Sequence, residues 1–252
     1  MPGLYDSSIT RVTPVFDTLC SLPGDWIKRL LQLPEYGSPN ARIPDNLDLN
    51  YIRGWWGEVE RGLLPPISLL SWLIRHPNSW AAEPNNEKRQ ALLLGDPAIV
   101  ELALKRSRSK IGTKHWSVLE GHTYPDVVIE TQDSLIVIEG KRTERGPTTH
   151  TTWMSARHQM WRHIDTIWEI KGRKRVYGFF IVEGNGPELT QLWQDASINT
   201  LGAEALSGSF PHRSDDEISE ICSCFLGITT WGNVCEEFDM DYNSLPNTIH
   251  DV

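Results

Sequence analysis

The sequence predicts an α/β domain, with a mixed sheet flanked by helices and a helical lobe at its N-terminal side. Two observations carry this. Val- and Ile-rich runs with short polar breaks follow one another in HWSVLEG, PDVVIET and SLIVIEGKR, the pattern of buried strands. An amphipathic stretch, MSARHQMWRHIDTIWEI, separates them from a fourth run, RVYGFFIVEG, and places Met160, Ile164, Ile167 and Trp168 on one helical face. With 252 residues, 39% of them hydrophobic and 23% charged, the chain can bury a full core without staples.

Taken in order, residues 1–82 are rich in Trp and Pro. They read as short helices broken at Pro23, Pro34, Pro39, Pro44, Pro65 and Pro77. Trp55, Trp56, Trp72 and Trp80 read there as core packing. Asn85 or Asn86 caps a helix through EKRQALLLG, which Gly95 closes. Asp96 caps the next helix, with Pro97 at its first position, and the basic cluster Lys105, Arg106, Arg108 and Lys110 ends it before a turn at Gly112. The three strand runs, the amphipathic helix and the fourth strand follow. The helix ends in Lys171-Gly172-Arg173-Lys174-Arg175, as basic residues and Gly suit a helix C-terminus. Gly184-Asn185-Gly186 turns into a helix over GPELTQLWQDA, and the stretch from Pro211 reads as further helix with a frayed end. The expected division is a Trp/Pro-rich lobe (1–82), an α/β core (83–195) and a C-terminal helical extension (196–252).

The N-terminus lacks a basic start followed by an apolar run, and the most apolar stretch, LLPPISLLSWLI, is too short to span a bilayer. The expectation is a cytoplasmic chain without a membrane partner, its four cysteines reduced and not arranged for a metal cluster. The net charge of −9 is unevenly spread. Residues 101–180 hold 14 Lys/Arg against 9 Asp/Glu, a net +5, while the rest holds 10 against 24, a net −14. A basic middle is what a phosphate-binding site needs, although solvated charge clusters by chance as well. No Gly-rich phosphate loop of the Walker type occurs.

The chemistry concentrates in YPDVVIETQDSLIVIEGKRTE, residues 124–144. If Gln132-Asp133 forms a two-residue turn, Thr131 faces Ser134 and Asp126 faces Glu139, with side chains roughly 5 Å apart. Glu139 and Lys141 lie two apart on one strand and share a face. Gly140 between them leaves its carbonyl open, a good ligand for a hard cation. Opposed acids are destabilising in an ordinary hairpin. A cation removes that repulsion, can activate water and can stabilise a pentavalent phosphate, while Lys141 is placed to orient the water or hold phosphate oxygens.

Pro125-Asp126 followed by Glu139-Gly140-Lys141 resembles the signature of the PD-(D/E)xK nuclease superfamily, and the order helix, three strands, helix, strand resembles its restriction-endonuclease-like αβββαβ core over residues 83–195. The resemblance implies a Mg²⁺-dependent deoxyribonuclease, with Mn²⁺ as a substitute metal, that hydrolyses DNA phosphodiesters and leaves the phosphate on the 5′ end. Asp126, Glu139 and the Gly140 carbonyl are the implied metal ligands, and Lys141 assists the attacking water. Family members often carry another acid on the first core helix. Glu87 is the candidate and Glu101 the runner-up, although Glu87 equally reads as an acid suited to a helix N-terminus. RecB-like members carry Gln-x-x-x-Tyr on the helix after the Lys; here Gln159 is followed by His163, a partial match. Gln159 and Arg162 are placed to contact the phosphate or orient Lys141, or else form the polar face of an amphipathic helix. Lys105, Arg106, Arg108, Arg142, Arg157 and Arg162, with the 171–175 run, are candidates for DNA phosphates, and a solvated helix end is the plain alternative for Lys105 to Lys110 and for the 171–175 run. His158 and His163 are expected at the surface. The rival readings are a catalytically silent DNA-binding or scaffold subunit and an RNA-directed nuclease of a defence system. The acidic flanks also suit a chain that borrows DNA affinity from a partner protein, and a homodimer would serve equally.

Overall fold

The computed structural model describes residues 3–23, 25–48, 52–57, 61–108, 115–184 and 187–252; Lys110, Gly112, Asn185 and Gly186 lie outside them. A π-helical turn, Ser8–Val12, runs into α1 (Thr13–Ser21), and α2 (Trp26–Gln32) follows. Then come β1 (Glu35–Tyr36), β2 (Ile52–Trp56), α3 (Ile67–Arg75), α4 (Glu87–Leu93) and α5 (Pro97–Ser107). The hairpin β3 (Val127–Thr131) and β4 (Ser134–Gly140) leads to α6 (Gln159–Ile170) and β5 (Arg175–Val182). The chain continues through α7 (Pro187–Thr200), α8 (Ala203–Ser209), α9 (Asp215–Cys222), β6 (Phe225–Thr230) and α10 (Trp231–Glu237).

The strands form one six-stranded mixed sheet in the order β1-β6-β5-β4-β3-β2. β4, β5 and β6 run parallel, while β3 is antiparallel to both its neighbours, β2 and β4, and β1 is antiparallel to β6. Strands buried on both faces read as continuous apolar runs, and the two faces separate by parity. Val127, Ile129, Ile136, Ile138, Phe179 and Ile181 face a core built with α1, α2 and α10. Val128, Val137, Phe180 and Val182 face the other, built largely with Met160, Trp161, Ile164 and Ile167 of α6. The result is a helix–sheet–helix sandwich.

Helices α3, α4 and α5 pack as a satellite around a third cluster with Leu119, Trp153 and Met154. The starts of α4 and α5 are set by side chains: Asn86 accepts the Arg89 amide at 2.9 Å, and Asp96 accepts the Ala98 amide at 2.9 Å, the expected N-caps.

Three expectations are corrected. HWSVLEG forms no strand. Arg89 of α4 binds its carbonyls instead, with Nε on the Trp116 carbonyl at 2.9 Å and a second nitrogen on that of Val118 at 3.3 Å, so these groups are removed from any ladder. The third antiparallel strand is β2, whose Trp55 lies opposite Val128 and Trp56 opposite Val127. The C-terminal stretch is not wholly helical, because β6 enters the sheet between β1 and β5. Strands therefore come from 1–82, 83–195 and 196–252 alike. Among the described residues no helix is long and apolar enough to cross a membrane.

Candidate active site

The hairpin register places the site. Val127 pairs with Ile138 and Val128 with Val137, so one further step brings Asp126 opposite Glu139. By the parity of Val128 and Val137, both carboxylates and Lys141 project on the α6 side of the sheet. Asp126 and Glu139 are buried, and the Lys141 side chain is nearly so.

Each group has fixed neighbours. Asp126 accepts the Gly140 amide at 2.7 Å and the Ser8 hydroxyl at 3.1 Å. Glu139 Oε1 accepts Gln159 Nε2 at 2.6 Å and lies 3.0 Å from Lys141 Nζ. Glu139 Oε2 lies 3.1 Å from His163 Nε2, but the two are out of line for a hydrogen bond, so that buried oxygen has no aligned donor. Thr123 Oγ1 holds the other ring nitrogen of His163 at 2.7 Å. Lys141 is anchored through its backbone: its amide donates to the Ile181 carbonyl at 2.8 Å, and its carbonyl accepts the Glu183 amide at 3.0 Å and Trp231 Nε1 at 3.2 Å.

Gly140 is needed for space. A Cβ there would lie 2.8 Å from the Trp231 ring and 2.9 Å from a Val12 methyl, both buried core residues. Its amide points at Asp126, and the two backbone groups of one strand residue point to the same edge, so its carbonyl is directed there too.

The electrostatics divide the two acids. Burial, and next the Glu139 charge, push Asp126 well above the usual carboxylate range, against the pull of Lys141, the Gly140 amide and Ser8. Burial also opposes ionisation of Glu139, but His163 and Lys141 outweigh it and hold its pKa below the ordinary value. Burial lowers the Lys141 pKa less than Glu139, Glu144 and Asp126 raise it, so the ammonium stays charged. One member of the acid pair is thus a ready anion and the other a reluctant one, a poise common at functional sites.

Gln159 joins the site, and so do Ser8 and His163, which sequence reasoning did not assign to it. His163 is buried, not at the surface, and its spacing from Gln159 (i, i+4 on α6) was the available signal. His158 is buried as well; its Nε2 lies 3.2 Å from Thr200 Oγ1, and burial pushes its pKa down to about 4. Glu87 is exposed at the start of α4, in the satellite lobe, and Glu101 is exposed on α5. Arg157 is not available to a nucleic acid: it is fully buried, 3.2 Å from Glu120 and 2.8 Å from Asp165. Arg142 is committed to Glu183 at 3.7 Å and to Thr10 at 3.0 Å. Arg162 is partly covered, holding Glu120 and the carbonyls of Gly121 and His122. Lys105, Arg106 and Arg108 are exposed at the end of α5. The 171–175 run lies at the other end of the sheet, since Arg175 pairs with Ser134, about 16 Å along β4 from Glu139. Cys20 is exposed, Cys222 is half-buried, Cys224 and Cys235 are buried, and all four are free thiols.

Among the described residues no three His, Cys, Asp or Glu side chains converge on one metal position. The donor set at the hairpin end is two carboxylates and one backbone carbonyl, all oxygen, with an unsatisfied carboxylate oxygen on Glu139. Hard divalent cations such as Mg²⁺ take oxygen ligands and keep several waters, so these residues fit such an ion. No protein-family model, curated protein or solved structure matches the chain.

Proposed function

We propose that the chain is a Mg²⁺-dependent nuclease that hydrolyses DNA phosphodiester bonds at Asp126, Glu139 and Lys141. The observation that carries this reading is one juxtaposition: two opposed, buried carboxylates with a charged lysine 3.0 Å from one of them, on a strand end beside an oxygen-lined edge. A purely structural pair of this kind is costly to keep. Asp126, Glu139 and the Gly140 carbonyl would hold the metal. When bound, the ion supplies charge neutralisation for the phosphate and acidifies water.

The chain's own groups do the positioning. Gln159 donates to one oxygen of Glu139, and His163 lies 3.1 Å from the other, which stays without an aligned donor. Ser8 and the Gly140 amide donate to Asp126. Lys141, its backbone clamped between Ile181, Glu183 and Trp231, presents its ammonium to a phosphate oxygen or to the attacking water. Trp231 and Val12 press on Gly140 and keep the strand end still.

The test is a cleavage assay on linear duplex, circular duplex, single-stranded DNA and RNA, with Mg²⁺, Mn²⁺ or EDTA. Wild type is expected to cut DNA only with metal, and Asp126→Ala to cut nothing. Equal cutting by wild type and Asp126→Ala, or no cutting by folded wild type, refutes the reading; preferential cutting of RNA corrects its substrate.

A further inference from the structure

Beside the hairpin end lies a surface that the cleavage site does not use. The guanidinium groups of Arg53 and Arg61 both sit over the Trp55 ring, at 4.5 and 4.1 Å from its centroid. Trp55 belongs to β2, the edge strand next to β3. Neither arginine has a carboxylate partner among the described residues, in a molecule where most other partly buried arginines have one. Arg53 is exposed and Arg61 partly so.

The segment that carries Arg61 is tied to the site. Leu63 and Thr123 exchange both backbone hydrogen bonds, at 2.8 and 3.0 Å, in an antiparallel bridge. That register sets Gly62 opposite Tyr124, and a Cβ on Gly62 would lie 2.7 Å from the Tyr124 ring. Tyr124 is 51% exposed and edge-on to His122 at 5.9 Å. It is two residues from Asp126, and the hydroxyl of Thr123, just before it, holds His163, the neighbour of Glu139. Two arginines against Trp55 of β2, which lies opposite Val128, and one open tyrosine two residues before Asp126 therefore share the β2–β3 edge with the acids, with Arg53 further along it opposite Glu130.

We infer that this edge binds the backbone and one unpaired base of a single-stranded stretch of nucleic acid, and delivers it to Asp126. The inference rests on the nuclease reading above and names its substrate class. Stacking on Trp55 leaves the planar guanidinium edges free to donate to phosphates. An exposed tyrosine can stack a base only where that base has left its partner, because the faces of paired bases are already stacked. Phosphate donors and an aromatic face side by side are the combination that single-strand binders use.

Binding is measured in EDTA, so that cleavage cannot enter, by anisotropy of a labelled oligothymidylate of about 15 nucleotides, an RNA of the same length and a duplex. Wild type is expected to prefer the single strands to the duplex. Tyr124→Ala is expected to weaken single-strand binding about tenfold with the duplex unaffected, and Tyr124→Phe to restore it. Arg53→Gln and Arg61→Gln are each expected to lower the salt dependence of log K by about one phosphate contact. Duplex preference in wild type, or Tyr124→Ala and Arg61→Gln proteins that both bind single strands as wild type does, overturns the inference. Single-strand preference lost in Tyr124→Ala, in a chain that never cuts with metal, leaves the platform standing and removes only the nuclease.

Discussion

Two buried aspartates, Asp126 just before β3 and Asp165 on α6, differ in their partners. Asp165 on α6 receives Arg157 at 2.8 Å, Arg213 at 2.9 Å and His212 at 3.2 Å. Burial would raise its pKa, but these neighbours, Arg157 foremost, drive it far below the usual carboxylate range. Asp126 meets a second acid across the hairpin, with one lysine, one amide and one hydroxyl in compensation, and its pKa goes up. The first cluster is closed on itself: Arg157 also binds Glu120, and Arg213 also reaches Glu169 at 2.7 Å. The second sets two acids against a single lysine. Burial thus goes with opposite shifts, and the number of arginines and lysines within reach tells them apart.

The largest effect expected is at the closed cluster. Arg157→Met leaves Glu120 and Asp165 buried with too little positive charge and should cost about 3–5 kcal/mol of stability in urea unfolding. A loss under 1 kcal/mol would remove Arg157 from the comparison.

Next come the two isosteric changes, Asp126→Asn and Asp165→Asn, followed by melting temperature against pH in EDTA. The folded pKa of Asp126 is raised, so its contribution is present below the ordinary carboxylate value of 3.8 and is lost as pH rises through the raised one. Asp126→Asn should therefore melt a few degrees higher than wild type near neutrality, with the gap closing as pH falls toward 3.8. The folded pKa of Asp165 is lowered, so its contribution is present above 3.8 and fades as pH falls through the lowered value. Asp165→Asn should melt lower than wild type at neutral pH. Shifts of the same sign in both variants would break the comparison.

The smallest effect expected is at Gln159. Gln159→Ala frees one oxygen of Glu139 without removing a charge, and should slow metal-dependent cleavage about tenfold with the metal preference unchanged.

How much of this was legible in the sequence follows from whether the deciding contacts are local. The β3–β4 hairpin has its turn, its register and both acids within residues 124–144, and reading Gln132-Asp133 as the turn gave the observed pairing. The two helix caps before α4 and α5 are equally local. β2 was hidden because Ile52–Trp56 mixes Arg and Gly with two Trp and owes its strand state to β3, some seventy residues on. β6 was hidden by Gly227, at φ +102°, which interrupts the run FLGITT where the pairing with β5 shifts register. HWSVLEG reads as a strand until Arg89 takes its carbonyls, a contact across nearly thirty residues. At the site, Asp126, Glu139 and Lys141 are read from one motif, while Ser8 arrives from 118 residues away and carries no local mark.

The place of β6 has a consequence for synthesis. Residues 35–56 supply both outer strands of the sheet, yet the last strand to be made, Phe225–Thr230, sits inside it, between β1 and β5. The sheet can therefore close only once the chain has been made through Thr230, and non-local pairing of this kind is slow. The residue immediately after β6 is Trp231, whose indole holds the Lys141 carbonyl and presses on Gly140. The strand end that carries the acids and the lysine gets its final brace only then.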